Sequence, residues 1–440
     1  MNNKAKYQRR LISILLIALL LVGCKEPSEQ HMDASSLSAS EILGKTDYLA
    51  MSYGGYRTKS REDQPTMAQI QEDLRLMHAM GVRVVRTYNM QFDHAPNVVK
   101  AIDGLKKEHP EFEMYVMLGT WIDCAQAWTA QPDHTKQNES ANQIEIEKAV
   151  ALAVQYPDII KIIAVGNEAM VHWAAQYFVA PSVILNWVKH LQNLKENNVL
   201  SKDLWITSSD NFASWGGGGA EYHNADLTAL IEAVDYISMH TYPFHDTHYN
   251  AQYWYNAGLA EHLDSNNKPA TLTTLETEKK AIQPFMDAAV ALSRAQFNQV
   301  QAYVKGLGLD KPIHVGETGW SSSSDGFFGP TGSRAADELK QAMYYEGLMG
   351  WCRDQKVSCF FFEAFDEQWK STANPSDPEN HFGLFALDGS AKYALWSEVD
   401  QGFFDGLSRD GQPIRKTFGG DINLLLETVL VPESQTTKHP

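Results

Sequence analysis

Short, largely apolar, strand-like segments alternate with helix-like stretches along most of this chain. A run without polar alternation is typical of a strand that is buried on both faces, as in a parallel sheet. Eight such strands are predicted, and amphipathic helices are expected between most of them. The predicted strands span residues 48–56, 82–89, 113–121, 159–167, 204–209, 234–241, 312–317 and 358–365.

Eight strand–helix units that close on themselves form a TIM barrel. An open, doubly wound sheet is the alternative, but no glycine-rich nucleotide fingerprint follows the first strand. The connection after the sixth strand, residues 244–281, is longer than a turn requires and is rich in tyrosine. We therefore predict an α/β fold, a (β/α)8 TIM barrel with an enlarged loop or small subdomain after strand six.

The N-terminus has the pattern of a targeting segment. Basic residues precede an apolar run at 11–22 that is too short to span a bilayer comfortably. The following Leu-Val-Gly-Cys, which ends at Cys24, resembles a bacterial lipobox. We expect residues 1–23 to be a lipoprotein signal peptide, with cleavage before Cys24 and lipidation of that cysteine. An ordinary secretory signal is the alternative. Lys25 favours anchoring at the outer membrane, facing the periplasm or the cell surface.

The remaining boundaries follow from composition. Residues 24–45 are expected to be a polar tether, residues 46–430 the catalytic barrel, and residues 431–440 a tail. The net charge of −17 argues against a nucleic-acid partner and is compatible with a neutral substrate. Cys352 and Cys359 are expected either to form a disulfide or to remain buried free thiols.

The predicted carboxyl ends of the strands carry acids, amides and aromatic rings. In a TIM barrel the active site lies at these ends. Such groups suit a sugar, which has polar hydroxyl edges and apolar faces. Glu168 and Glu317 end strands four and seven, and they are the candidate acid and nucleophile of one cleft. No Ser-His-Asp order, P-loop or HExxH motif is evident. The spacing of the histidines at 223, 240, 245 and 248 matches no metal site, so neither metal nor cofactor is expected.

Four segments, in order along the chain, resemble glycoside hydrolase family 17, the β-1,3-glucanase family. The resemblance extends from about residue 48 to about residue 396. The segments are Val-Gly-Asn-Glu at 165–168, Gly-Glu-Thr-Gly-Trp at 316–320, Phe-Asp-Glu-Gln-Trp-Lys at 365–370 and His-Phe-Gly-Leu-Phe at 381–385.

This resemblance implies a retaining mechanism in which Glu168 is the general acid/base and Glu317 the nucleophile. It also implies that Asn167 binds the sugar 2-hydroxyl and that Tyr242 lies near the nucleophile. Glu367 and Lys370 would support the site, a surface salt bridge being the alternative.

Further candidates for substrate binding are residues that lie at the predicted ends of strands. Arg86 is expected to orient a carboxylate. Glu363 has no counterpart in plant members of the family; it is expected to pair with Arg86 or bind sugar, unless it forms a structural ion pair. Trp121 and Trp320 are candidate sugar platforms, with core packing as the alternative. The remaining candidates are Tyr53 and Tyr88.

The expected activity is hydrolysis of laminarin-type β-1,3-glucan through a glycosyl-enzyme, with endo action, by a monomer. One alternative is a transglycosylase of the same family. The other is a surface glycan-binding lipoprotein without catalysis, which the presence of both glutamates disfavours.

Overall fold

The computed structural model describes residues 37–261 and 274–432. Eight parallel strands pair in sequence order, and the eighth pairs with the first to close the barrel. The predicted (β/α)8 barrel is confirmed. The strands are β1 Leu49–Ser52, β2 Val82–Arg86, β3 Tyr115–Thr120, β4 Ile160–Asn167, β5 Trp205–Asn211, β6 Ile237–His240, β7 Ile313–Gly319 and β8 Cys359–Phe362.

The strands are buried along almost their whole length, because helices cover the outside of the barrel. Side-chain caps fix several helix starts. Asp337, for example, accepts a hydrogen bond from the Lys340 backbone N–H at 2.9 Å. The helices are α1 Ala39–Ile42, α2 Met67–Ala79, α3 His94–Glu108, α4 Glu139–Gln155, α5 Pro181–Glu196, α6 Ala225–Ala233, α7 Pro243–Tyr249, α8 Gln252–Glu261, α9 Thr274–Gly306, α10 Glu338–Gln355, α11 Trp396–Asp400 and α12 Ile422–Leu426.

Two short hairpins and several short turns of helix complete the described structure. The hairpins pair Cys124–Ala125 with Asp133–Gln137 and Ser408–Arg409 with Gln412–Pro413. The 3-10 turns are Ala220–Tyr222, Pro378–Asn380, Tyr393–Leu395 and Thr417–Gly420, and Ala213–Gly217 is a π-helical turn.

The ordered domain begins earlier than the sequence indicates. The compact unit starts at Ser38, and α1 buries Ala39 and Ile42 completely. The Ala39 backbone N–H donates to the Asp203 carbonyl at 2.9 Å, which ties α1 to the segment before β5. The predicted tether over 24–45 is therefore wrong in its last residues, because two apolar side chains there have a core to enter.

The rest of the N-terminal prediction cannot be compared with the fold. The predicted signal peptide, Cys24 and the first part of the tether lie outside the described residues, as do residues 433–440. Among the residues that the structure describes, none of the helices combines the length and the hydrophobicity of a membrane span.

The long connection after β6 is largely helical. Helices α7 and α8 fold back beside α9, and Trp254 of α8 is fully buried, with its indole N–H bonded to the Ser333 carbonyl at 2.9 Å. The small subdomain expected at this point is thus a helical cover on one side of the barrel mouth. Residues 262–273 of the connection are outside the described ranges.

The described cysteines are all free and buried. Cys352 lies near the end of α10 and Cys359 begins β8. Of the two alternatives, the structure shows buried thiols.

Candidate active site

A β-bulge at the end of β4 turns Glu168 toward the barrel mouth. Ala164 pairs with Thr207 and Asn167 pairs with Ser209, so β4 advances three residues where β5 advances two. Gly166 lies in the bulge and has φ +83°, a conformation that favours glycine. A Cβ atom at this position would lie only 2.9 Å from the Cβ of Ala169, which is too close for another residue. The left-handed backbone continues at Glu168, with φ +46°.

Glu317, near the end of β7, is held by three donors. Its Oε2 accepts from Arg86 Nη1 and from the Tyr88 hydroxyl, each at 2.7 Å. Its Oε1 accepts from the Tyr242 hydroxyl at 2.7 Å. The residue is only 7% exposed, so the three hydrogen bonds replace most of its hydration.

These donors keep the Glu317 carboxylate ionised. Burial alone would raise the pKa of Glu317, but the Arg86 guanidinium, His240 and the two tyrosine hydroxyls together lower the pKa below its ordinary value. An ionised carboxylate is the form that can attack an anomeric carbon.

Arg86 connects three strands of the barrel. Besides Glu317 it donates to the Gly316 carbonyl at 2.7 Å and to Asn167 Oδ1 at 2.6 Å. The expected contact between Arg86 and a carboxylate is present, and the carboxylate is that of Glu317. Asn167, directly before Glu168, is thereby fixed with its oxygen toward Arg86, so its NH₂ group is the part that can donate to a sugar.

Glu168 has far fewer contacts. Its side chain is 24% exposed, and Oε1 lies 3.1 Å from His240 Nδ1. His240 Nε2 is 2.7 Å from the Ser209 hydroxyl and 3.3 Å from Arg86 Nη1. Because arginine can only donate, Nε2 must be the acceptor and the proton of a neutral ring lies on Nδ1, facing Glu168. His240 thus links the two carboxylates through Arg86.

Asp210 is a fully buried acid close to the partly exposed Glu168. It accepts from the backbone N–H groups of Met170 at 2.7 Å and Asn211 at 2.8 Å. Burial, followed by the negative charge of Glu168, raises the pKa of Asp210 to about 7. It therefore changes charge near neutrality, next to the general-acid candidate.

A cavity of about 1520 Å³ opens beside the two glutamates, between the loops that follow β4 to β8. It exceeds the roughly 300–1,000 Å³ of a typical small-ligand site, so it has room for several sugar rings. His245 and Glu379 pair within it at 3.1 Å. No lysine or arginine is among its described lining residues, whereas six carboxylates are: Glu168, Asp246, Glu317, Asp325, Asp377 and Glu379.

Two aromatic residues that were predicted to bind sugar do not line the cavity. Trp320 is fully buried and donates its indole N–H to the Ala335 carbonyl at 2.8 Å; its ring packs against Tyr344 of α10. Tyr53 is also buried and donates to Asp73 of α2 at 3.0 Å. The predictions for Tyr53 and Trp320 are wrong, because both side chains point into the layer between strands and helices.

The buried Glu363 and Glu367 and the partly buried Lys370 form a network that does not reach the cavity lining. Lys370 pairs with Glu363 and lies 3.7 Å from Glu367 Oε2, and Glu367 also accepts from the Tyr56 backbone N–H at 3.0 Å. Of the alternatives for Glu363, the structure shows the structural ion pair, with Lys370 in place of Arg86 as the partner. The Lys370 ammonium lies 3.9 Å from the Phe362 ring centroid, so the network stiffens a residue of the cavity wall.

Several residues near the two glutamates are not among those predicted from the sequence. His240 ends β6 two residues before Tyr242, and this position at a strand end is the sequence signal that points to it. Asp210 likewise lies at a strand end. Trp128 and Tyr177 lie in loops without a periodic pattern, and only the folded structure brings them beside Trp121. In the described part of the chain, no group of three or more His, Cys, Asp or Glu is arranged to hold a metal ion.

Known proteins resemble this chain in sequence and in fold. The family model of the BtgE/BtgC glycoside hydrolase domain matches residues 50–278. The crystal structure of an endo-laminarinase from Formosa Hel1_33_131 is 52% identical, with a TM-score of 0.85, and the match covers 92% of this chain and 100% of that one.

Two more distant proteins are also similar to this chain, one in sequence and one in fold. A glucan 1,3-beta-glucosidase of Arthroderma benhamiae is 24% identical over 295 residues, which cover 65% of this chain and 73% of that protein. A glycoside hydrolase family 17 beta-1,3-glucanosyltransferase from Rhizomucor miehei is 16% identical, with a TM-score of 0.52, and the match covers 79% of this chain and 96% of that one. The latter likeness concerns the fold alone.

Proposed function

The chain belongs to glycoside hydrolase family 17, and on that premise we propose that it hydrolyses laminarin-type β-1,3-glucans at internal bonds with retention of configuration. One observation carries the proposal. Two carboxylates at the ends of β4 and β7 face one cavity, and their surroundings differ as an acid and a nucleophile require.

In the first step, Glu317 attacks the anomeric carbon. The bond from that carbon to the glycosidic oxygen breaks while a bond to the Glu317 carboxylate forms, and Glu168 gives its proton to the leaving oxygen. Arg86, Tyr88 and Tyr242 hold the attacking carboxylate in place, so little reorganisation is needed when the bond forms.

In the second step, Glu168 acts as a base. It takes a proton from a water molecule, which attacks the anomeric carbon and releases Glu317. The His240 Nδ1–H holds the Glu168 carboxylate in position for both transfers. The Asn167 amide, turned by Arg86, donates to the 2-hydroxyl of the reacting sugar.

The charge of the cavity supports an uncharged substrate. Six carboxylates line it without a lysine or arginine among the described lining residues, so sulfated or carboxylated glycans would be repelled. The 52% identity to an endo-laminarinase supports the choice of β-1,3-glucan and of internal cleavage.

Product analysis tests the proposal. Laminarin should yield a ladder of oligosaccharides early in the reaction, whereas β-1,4- and β-1,6-glucans should not. Proton NMR should detect the β-anomer first, and a 2-deoxy-2-fluoro glycoside should label Glu317. Initial release of the α-anomer, or glucose as the sole early product, would overturn retention or endo action respectively.

We also propose that the protein is a monomer anchored in the outer membrane by lipid on Cys24. The lipobox-like Leu-Val-Gly-Cys carries this proposal. Cys24→Ser should abolish incorporation of radiolabelled palmitate and release the protein from the membrane fraction. Retention of both label and membrane association would contradict it. Size-exclusion chromatography with light scattering checks the monomer.

A further inference from the structure

Asp210, the last residue but one of β5, fixes the backbone that carries the acid/base. Its Oδ2 accepts from the N–H of Met170 at 2.7 Å, two residues after Glu168, and its Oδ1 accepts from the N–H of Asn211 at 2.8 Å. The Glu168 N–H itself donates at 2.9 Å to the carbonyl of Ser209, the residue before Asp210. The end of β5 thus holds the chain at Glu168 and again two residues later.

This segment needs support because its backbone is strained. Glu168 has φ +46°, a left-handed conformation that is unfavourable for a residue with a side chain. Such a conformation persists only where the surroundings impose it. Asp210 is fully buried, so water does not compete for its two hydrogen bonds. Without them the strained segment would be free to relax, and the Glu168 carboxyl group would move with it.

The two carboxyl groups also affect each other's ionisation. Burial, followed by the charge of Glu168, raises the pKa of Asp210 to about 7, whereas His240 acts in the opposite direction. Tyr177 in the loop after β4 and Tyr222 in the turn after β5 also face Asp210. Burial raises the pKa of both tyrosines, so they stay neutral near neutral pH. The pair of Glu168 and Asp210 therefore retains one proton up to about pH 7.

A retained proton matters because Glu168 has to protonate the leaving oxygen. We propose that Asp210 is a positioning residue for the acid/base, which holds Glu168 in place for proton transfer and keeps one proton on the two carboxyl groups near neutrality. The proton passes from Glu168 to the glycosidic oxygen in the first step, and a proton from water returns to Glu168 in the second. Asp210 is not among the described residues that line the cavity, so it acts through Glu168. This inference rests on the proposed function.

The wild-type protein gives the first test, which requires no variant to fold. For laminarihexaose, kcat/KM should decrease above about pH 7, where the pair loses its last proton. For dinitrophenyl β-laminaribioside, whose leaving group needs no proton, this basic limb should be absent. A basic limb close to the ordinary glutamate value of about 4.3, or the same limb for both substrates, would overturn the shared proton.

Two variants test the positioning role. Asp210→Asn has one acceptor oxygen for two N–H donors, and Asp210→Ala has none. In both variants kcat/KM for laminarihexaose should fall by roughly 10- to 100-fold, because the general acid is displaced. The value for the dinitrophenyl substrate should fall far less. In Asp210→Asn the basic limb for laminarihexaose should also move to lower pH, because the partner that shares the proton is gone.

Asp235→Asn is the matched control. Asp235 accepts from the N–H of Ile206 at 2.6 Å, so it too fixes the backbone of β5, but at the opposite end of the barrel. This variant should have a lower melting temperature, while the ratio of the two kcat/KM values should equal that of wild type.

Equal losses on the two substrates in folded Asp210 variants, or an unchanged ratio as in Asp235→Asn, would show a structural role alone and overturn the proposal. Wild-type protein that leaves laminarin intact would instead overturn the proposed function.

Discussion

The surroundings of the two glutamates differ more than their sequence contexts suggest. Glu317 is buried, accepts three hydrogen bonds from side chains and lies against a guanidinium. Glu168 is 24% exposed and has His240 as its side-chain partner. One carboxylate is held ionised and immobile, and the other remains accessible to a leaving group or water. Identical side chains thus obtain opposite roles from their neighbours.

The largest expected effect follows from removing the nucleophile. Glu317→Ala should lower the rate of laminarin hydrolysis by on the order of 10⁵-fold, because no covalent intermediate can form. Reducing-sugar release measures the loss, and circular dichroism checks the fold. Substantial residual cleavage by a folded variant would contradict the assignment of Glu317.

Removing the acid should give a different pattern. Glu168→Ala should slow laminarin hydrolysis by about 10³-fold but retain more activity on aryl glycosides, whose leaving groups need no proton. Azide should restore turnover by attacking the glycosyl-enzyme, and a β-glycosyl azide should be detectable. Equal losses on both substrate types without rescue by azide would count against the acid/base role.

A conservative substitution of Arg86 tests how this residue holds Glu317. Arg86→Lys keeps the charge but cannot bond Glu317, Gly316 and Asn167 together, so kcat should fall by roughly 10²-fold. Loss of this contact should also raise the pKa of Glu317, which moves the acidic limb of the pH profile of kcat/KM to higher pH. Arg83→Lys, on the same strand, is the matched control; an unmoved limb in Arg86→Lys would refute the coupling.

The smallest expected effect concerns Asp210 and the pH dependence of the protein's stability. Its folded pKa of about 7 lies above its ordinary value, so between about pH 4 and pH 7 the folded state holds a proton that the unfolded state has released. The contribution of Asp210 to stability therefore falls as pH rises through that window.

Asp210→Asn should remove this dependence. The melting temperature of the variant, relative to that of wild type at the same pH, should increase as pH rises from 4 to 8. Asp203→Asn, in the exposed segment before the same strand, is the control and should follow wild type. A constant difference between Asp210→Asn and wild type across the pH range would rule out the titration.

The apolar pattern predicted the barrel well but not which aromatic rings face the cleft. All eight strands overlap the predicted strand segments, because a largely apolar segment has to be covered on both faces. Trp320 and Tyr242 both follow strand ends, yet Trp320 packs against Tyr344 while Tyr242 bonds the nucleophile. The Trp320 ring is placed by its contact with Tyr344 of α10, a tertiary contact that the local sequence does not predict.

The sequence by itself therefore determined the strands, their order and the positions of Glu168 and Glu317 at the ends of two of them. These features depend on neighbouring residues and on recognisable motifs. Only the tertiary structure decided the electrostatics of the site. Arg86 meets Asn167 and Glu317 across 81 and 231 residues of chain, and Tyr177 meets Trp128 through loop contacts. Such contacts arise when the barrel closes, since closure alone brings distant strand ends and their loops to one mouth.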